Sequence, residues 1–154
     1  MTSWYPEMVG ESPMARATRD AEGIVRAYVD VTNEREYSKL PDLVAESVSV
    51  YNPTAPEGVV HGRENVEAFM QGVLAGFPDF GVTLHDVVSN DDLVMYDATL
   101  TMTHEGEFDG IPPTGREIEV PEMARYHVTE GKIQEYRVCF DQQAVFEQLG
   151  LAEE

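Results

Sequence analysis

The chain carries one cysteine, Cys139, one tryptophan, Trp4, and only two lysines, Lys39 and Lys132. A single thiol excludes an internal disulfide framework and any multi-cysteine zinc site, and it fits a reducing compartment. The four histidines, His61, His85, His104 and His127, fall in no HExxH or other short ligand spacing, so no metal is expected. No run approaches the ~18 consecutive apolar residues of a membrane span, and residues 1–11 hold neither the basic region nor the apolar stretch of a signal peptide. A cytoplasmic protein is the expectation.

Positive charge is scarce as well. Against 10 Lys and Arg stand 29 Asp and Glu, a net charge of −19. Such a field repels nucleic acid and anionic membranes, which are bound by cations facing phosphates, so neither is expected as a partner. The acids are spread along the chain rather than gathered in a tail, as in a solvated acidic shell. At molar salt the Debye length falls to roughly 3 Å and the self-repulsion of such a shell is largely screened. The composition is that expected of a halophile.

At 154 residues the length fits one domain with a substantial core. Residues 1–15 mix Pro6, Gly10 and Pro13 without a period and are expected to form an irregular arm, with residues 16–154 as a single domain. Apolar positions at spacings of three and four predict amphipathic helices over residues 17–34 and 63–75. A short helix is expected over residues 40–47, with Pro41 in its first turn. A strand at residues 48–51 is stopped by Asn52-Pro53. After Pro78 the period changes from 3.6 to 2. Residues 80–88, 92–104, 117–128 and 132–140 are then four successive strands, with hairpin turns at Asn90-Asp91 and Glu130-Gly131. Asp141 is placed to cap a last short helix that ends at Gly150. Helices followed by an antiparallel meander imply an α+β fold with the helices on one face of a sheet.

Alternation within the strands sorts their side chains. Val94, Tyr96, Ala98, Leu100, Met102 and His104 share one face, and Ile118, Val120, Glu122, Ala124, Tyr126 and Val128 share the matching face of the next strand. On the final strand Tyr136, Val138 and Phe140 face the same way. The inner wall is therefore expected to be apolar except for His104, Glu122 and tyrosine hydroxyls.

Residues 104–116, His-Glu-Gly-Glu-Phe-Asp-Gly-Ile-Pro-Pro-Thr-Gly-Arg, form a glycine- and proline-rich connection at the rim of this sheet. Together with Asn52-Pro53, His61-Gly62, Phe77-Pro78-Asp79, Gly131-Lys132-Ile133, Glu135, Asp141 and Gln148-Leu149-Gly150, in that order, they make residues 20–150 resemble the SnoaL-like polyketide cyclase family. The resemblance implies a nuclear transport factor two-like fold: a cone-shaped, curved antiparallel sheet wrapped around N-terminal helices, enclosing an apolar cavity, in a homodimer. It also implies an intramolecular aldol closure of a polyketide ester without metal or cofactor, with an aspartate on the final strand moving protons while an asparagine and a histidine bind the substrate. Asn52 matches the asparagine. The aspartate position falls at Val138 and the histidine position at Ala124, so the family's own proton carrier is absent.

Candidate chemistry follows from what remains. Glu122, a carboxylate on an apolar face, is the preferred substitute base, because desolvation raises the pKa of an unpaired carboxyl; alternatively it pairs with Arg125. His104 stands either as a carbonyl binder and proton shuttle or as an anchor of the rim loop. Asn52 stands either as a carbonyl donor or as a turn residue before Pro53. Tyr28, Phe69, Phe77, Tyr96, Tyr126, Tyr136 and Val138 are expected to line the cavity and contact a small apolar ligand. Two functions stay open: a cofactor-free acid/base enzyme of cyclase, isomerase or hydratase type on a small carbonyl compound or ester, and a non-catalytic ligand-binding or dimer-scaffold protein.

Overall fold

The computed structural model describes residues 20–151; the expected N-terminal arm and the first turn of the first helix lie outside them. Helix α1 (Ala21–Glu34) starts where the Asp20 carboxylate accepts the Gly23 N–H at 2.9 Å. It stops at Arg35, whose backbone is left-handed (φ 61°). Its buried stripe, Ala21, Ile24, Val25, Tyr28 and Val31, is the one the spacing predicts, and Val29 widens it.

A 3-10 turn (Tyr37–Lys39) leads into a single helical turn, α2 (Leu40–Leu43). The expected helix through residue 47 is thus cut short. Val44 turns extended and opens β1 (Val44–Tyr51), which pairs in parallel with the last strand across a register shift between Val44 and Ser49. That shift breaks the alternation and hides the first half of the strand from a period-2 reading. A three-residue strand, β2 (Val59–His61), pairs antiparallel with β1 and was not expected from the sequence.

Helix α3 (Arg63–Gly76) is followed by the four long strands: β3 (Gly81–Asn90), β4 (Leu93–Thr103), β5 (Glu117–Thr129) and β6 (Lys132–Phe140). A last helix, α4 (Gln142–Gln148), begins at Asp141, whose carboxylate accepts the Ala144 N–H at 3.2 Å. The β5–β6 turn places Glu130 and Gly131 both at positive φ, the conformation of a two-residue hairpin turn.

The described residues form one six-stranded curved sheet in the order β2-β1-β6-β5-β4-β3, antiparallel except for the β1–β6 pair. The fold is α+β, with an unclosed cone of sheet around the helices. The predicted inner face is the buried one: burial alternates residue by residue along β4 and β5. The apolar stripe of α3, which as an amphipathic face would be expected to bury Val66, Phe69, Met70, Val73 and Leu74, is only partly buried. Only Val66 and Gly76 are buried there, while Phe69, Met70, Val73 and Leu74 stay half-exposed because they border a cavity instead of packing flat on the sheet.

The rim connection is fastened to α3 at its C-terminal end. The N–H groups of Glu105 and Gly106 both donate to the Gly76 carbonyl at 3.0 Å. A Cβ on Gly106 would lie 2.0 Å from the Ala75 carbonyl oxygen, so only glycine permits this approach.

Candidate functional site

Between α1, α3, the rim connection and the inner face of the sheet lies a cavity of about 140 Å³. Its lining includes Tyr28, Asn52, Phe69, Phe77, Tyr96, Glu122, Tyr126, Tyr136 and Val138, all singled out in the sequence. It also includes Thr32, Tyr37, Thr54, Phe108 and Val145, which sequence reasoning missed. Thr32 carries a legible signal, since it follows Tyr28 by four residues on the same helical face. Phe108 and Val145 sit on a loop and a short helix, where no period marks the inward side.

Glu122 occupies the middle of this wall. It lies on β5, one of the two central strands, opposite Ala98 on β4 and Phe140 on β6. It is buried, and Oε1 accepts one hydrogen bond, from the Tyr96 hydroxyl at 3.3 Å. Arg125 does not reach it; that side chain lies on the outer face and pairs with Glu135 at 3.5 Å. Among the described residues no cation stands against Glu122. Burial therefore pushes its carboxyl up to about 7, with the Tyr96 hydrogen bond pulling the other way.

Tyrosines surround it. The Tyr96 and Tyr126 hydroxyls are 3.1 Å apart, and the Tyr28 and Tyr136 hydroxyls are hydrogen-bonded to each other. The Tyr126 and Tyr136 rings stack at 4.5 Å, which joins the two pairs into one wall. Burial raises the pKa of all four phenols, so they remain protonated.

Asn52 does two things at once. Its Oδ1 accepts the backbone N–H and the hydroxyl of Thr54, at 2.9 and 2.8 Å, which fixes the turn after β1. Its Nδ2 makes no hydrogen bond among the described residues, and the residue lines the cavity.

His104 is placed differently. It is fully buried but is not among the cavity-lining residues; its ring packs on Phe77 at 5.2 Å between centroids, and Phe77 faces the cavity. Nδ1 accepts the Thr114 N–H at 3.2 Å, which puts the ring proton on Nε2, an atom without a partner among the described residues. Its backbone N–H and carbonyl bond Arg116 and Gly115 across the connection. Among the described residues no three His, Cys, Asp or Glu side chains gather as a metal site, and no helix is long and apolar enough to cross a membrane.

A family model for SnoaL-like polyketide cyclases matches residues 22–149. The chain belongs to that family. Among solved structures, this SnoaL-like chain is similar to IdmH from Streptomyces antibioticus, a candidate polyketide cyclase. The identity is 29% and the TM-score 0.75, over 84% of this chain and 98% of that one. It shares its fold with a candidate SnoaL-like polyketide cyclase from Jannaschia sp. CCS1 (24% identity, TM-score 0.77, 94% and 98% covered). It also shares it with AclR from Streptomyces galilaeus, a candidate hydroxylase (22%, TM-score 0.72, 92% and 100% covered). Comparison with proteins of curated function gives no significant match. Neighbours named for different chemistries on one cone mean that the reaction has to be argued from the site of this SnoaL-like chain.

Proposed function

We propose that this chain is an acid/base enzyme acting without a cofactor on a small apolar carbonyl compound or ester, with Glu122 as the proton carrier. The observation that carries this reading is a buried carboxylate with no cationic partner among the described residues, opening on an apolar cavity, with a pKa near neutrality. A base poised at about 7 is both deprotonated often enough to accept a proton and basic enough to take one from carbon beside a carbonyl. The Asn52 amide and the buried tyrosine hydroxyls of the wall supply donors for the substrate oxygen, where negative charge develops as the proton leaves.

The position of Glu122 gives the reading further support. Val138, where the family resemblance places the cyclases' aspartate, pairs with Ala124, and Glu122 is the next residue on the same face of β5. The carboxylate of this chain thus stands one diagonal step across the sheet from the family position, and it faces the same cavity. The products of enolisation depend on where the proton returns and on what the enolate meets, so aldol closure, isomerisation and hydration are all open to this arrangement. His104, held behind Phe77, anchors the rim connection in this scheme.

A second reading, a non-catalytic pocket for a small apolar ligand, is favoured by Val138 itself, since the family's own base is missing. Turnover of a screened carbonyl compound separates the two, since a pocket that binds without turning anything over favours the second reading, and Glu122→Gln then tests the proton carrier. Loss of turnover on a substrate found by screening, with the fold and ligand binding intact, supports the enzyme; unchanged turnover removes Glu122 from the mechanism.

A further inference from the structure

The tyrosine wall holds one proton more than its partners use. A phenol has a single proton to donate. On one side, Tyr96 gives its proton to Glu122, so the 3.1 Å contact with Tyr126 runs from Tyr126 to Tyr96 and both protons are engaged. On the other side, the bond between Tyr28 and Tyr136 consumes one proton of two. Among the described residues the other proton has only the Met70 sulfur, 4.0 Å from the Tyr28 oxygen. A thioether is a weak acceptor, so this buried donor is poorly matched. Tyr28, Tyr136 and Met70 all line the cavity, so an oxygen atom of a ligand can take the sulfur's place.

The size of the space limits what carries that oxygen. An apolar protein cavity of roughly 150 Å³ accommodates one benzene ring. About 140 Å³ therefore holds a single six-membered ring with small substituents, and a fused three- or four-ring skeleton would have to extend out of the cavity.

We propose that the cavity binds a single-ring ketone, or an ester of similar size, whose carbonyl oxygen accepts the free proton of the Tyr28–Tyr136 pair while its α-carbon faces Glu122. This rests on the reading of Glu122 as the base. The α C–H bond breaks, its proton goes to Glu122, and its electron pair forms the carbon–carbon double bond of an enolate. The carbonyl π electrons move to the oxygen held by the tyrosine pair. Return of the proton to the same or a conjugated carbon restores a ketone, with no further reactant. Met70 is a placeholder acceptor in the empty site.

The test uses cyclohex-2-enone labelled with ¹³C at the carbonyl, and anthrone as a three-ring comparison, with the full-length chain. The bound carbonyl stretch is expected to fall below its frequency in hexane. Tyr28→Phe, combined with Tyr136→Phe so that the proton released on Tyr136 cannot substitute, is expected to abolish most of that fall and to slow deuterium uptake at the α-carbon by about 10²- to 10³-fold. Glu122→Gln is expected to lose the deuterium uptake and keep the carbonyl shift. Met70→Leu, a volume-conserving change, is expected to bind the ketone several-fold more tightly. Should the double variant fail to fold, weaker or unchanged binding in Met70→Leu overturns the proposal by itself. Bound ketone with an unshifted carbonyl in the wild type, no binding of the ketone at all, or tighter binding of anthrone also overturns it. A shifted carbonyl without any deuterium uptake in the wild type overturns the Glu122 reading and leaves the tyrosine site standing.

Discussion

Removing the charge of Glu122 should stabilise the protein, and only above a definite pH. In the unfolded chain this carboxyl titrates at its ordinary 4.5, whereas in the folded chain it titrates at about 7 because burial disfavours the anion. The folded protein therefore holds the proton longer than the unfolded one. The penalty is absent below about pH 4.5, grows between 4.5 and 7, and is complete above 7, the reverse of a salt-bridged carboxylate. At ~1.4 kcal/mol per pKa unit it amounts to about 3 kcal/mol at pH 8. Glu122→Gln keeps the shape and the acceptor for Tyr96 while removing the ionisation. Urea denaturation of both proteins from pH 4 to 8 isolates the effect, since the other titrating groups cancel in the difference. The variant should match the wild type at pH 4 within its pH-independent offset and gain about 3 kcal/mol by pH 8. That corresponds to roughly 6–12 °C in melting temperature for a chain of this size. A difference that stays flat across the range would mean a solvated or ion-paired Glu122 and would refute the argument.

The seam between α3 and the rim connection gives a paired prediction: Gly106→Ala should destabilise by more than about 2 kcal/mol through the backbone clash with Ala75. Gly72→Ala, within α3 and with open space around its Cβ, should stabilise by about 0.5–1 kcal/mol. Chemical denaturation of the two variants checks both signs. The net charge of −19 predicts a melting temperature that climbs from low to molar KCl, as in a salt-rich cytoplasm; indifference to salt removes the halophilic reading. The outer sheet face exposes Val88, Met95 and Met123, and a homodimer through it predicts twice 17.2 kDa by light scattering, which a monomer mass would contradict.

The inner wall was legible because β4 and β5 keep strict alternation. Once the period is read, Glu122 must share a face with Val120 and Ala124, and the structure puts it there. The same alternation sends Arg125, three residues on, to the opposite face; what it could not reveal is that, among the described residues, no cation from another element reaches Glu122. β2 escaped notice because three residues carry no period, although two valines between Gly58 and Gly62 fit a short strand. The start of β1 was masked by its register shift, and helix propensity in residues 40–47 gave way to pairing with β6. His104 faces inward, as the alternation along β4 predicts. Its separation from the cavity depends on Phe77 standing between, a fact of tertiary packing alone. The count of tyrosine protons likewise depends on distances across four elements.

The most direct measurement is the pH dependence of deuterium uptake at the α-carbon of a bound ketone. If Glu122 is the proton carrier, the rate rises with pH to a plateau with an apparent midpoint near 7, and Glu122→Gln abolishes it at every pH. A rate that is independent of pH between 5 and 9, or that survives in Glu122→Gln, contradicts the account.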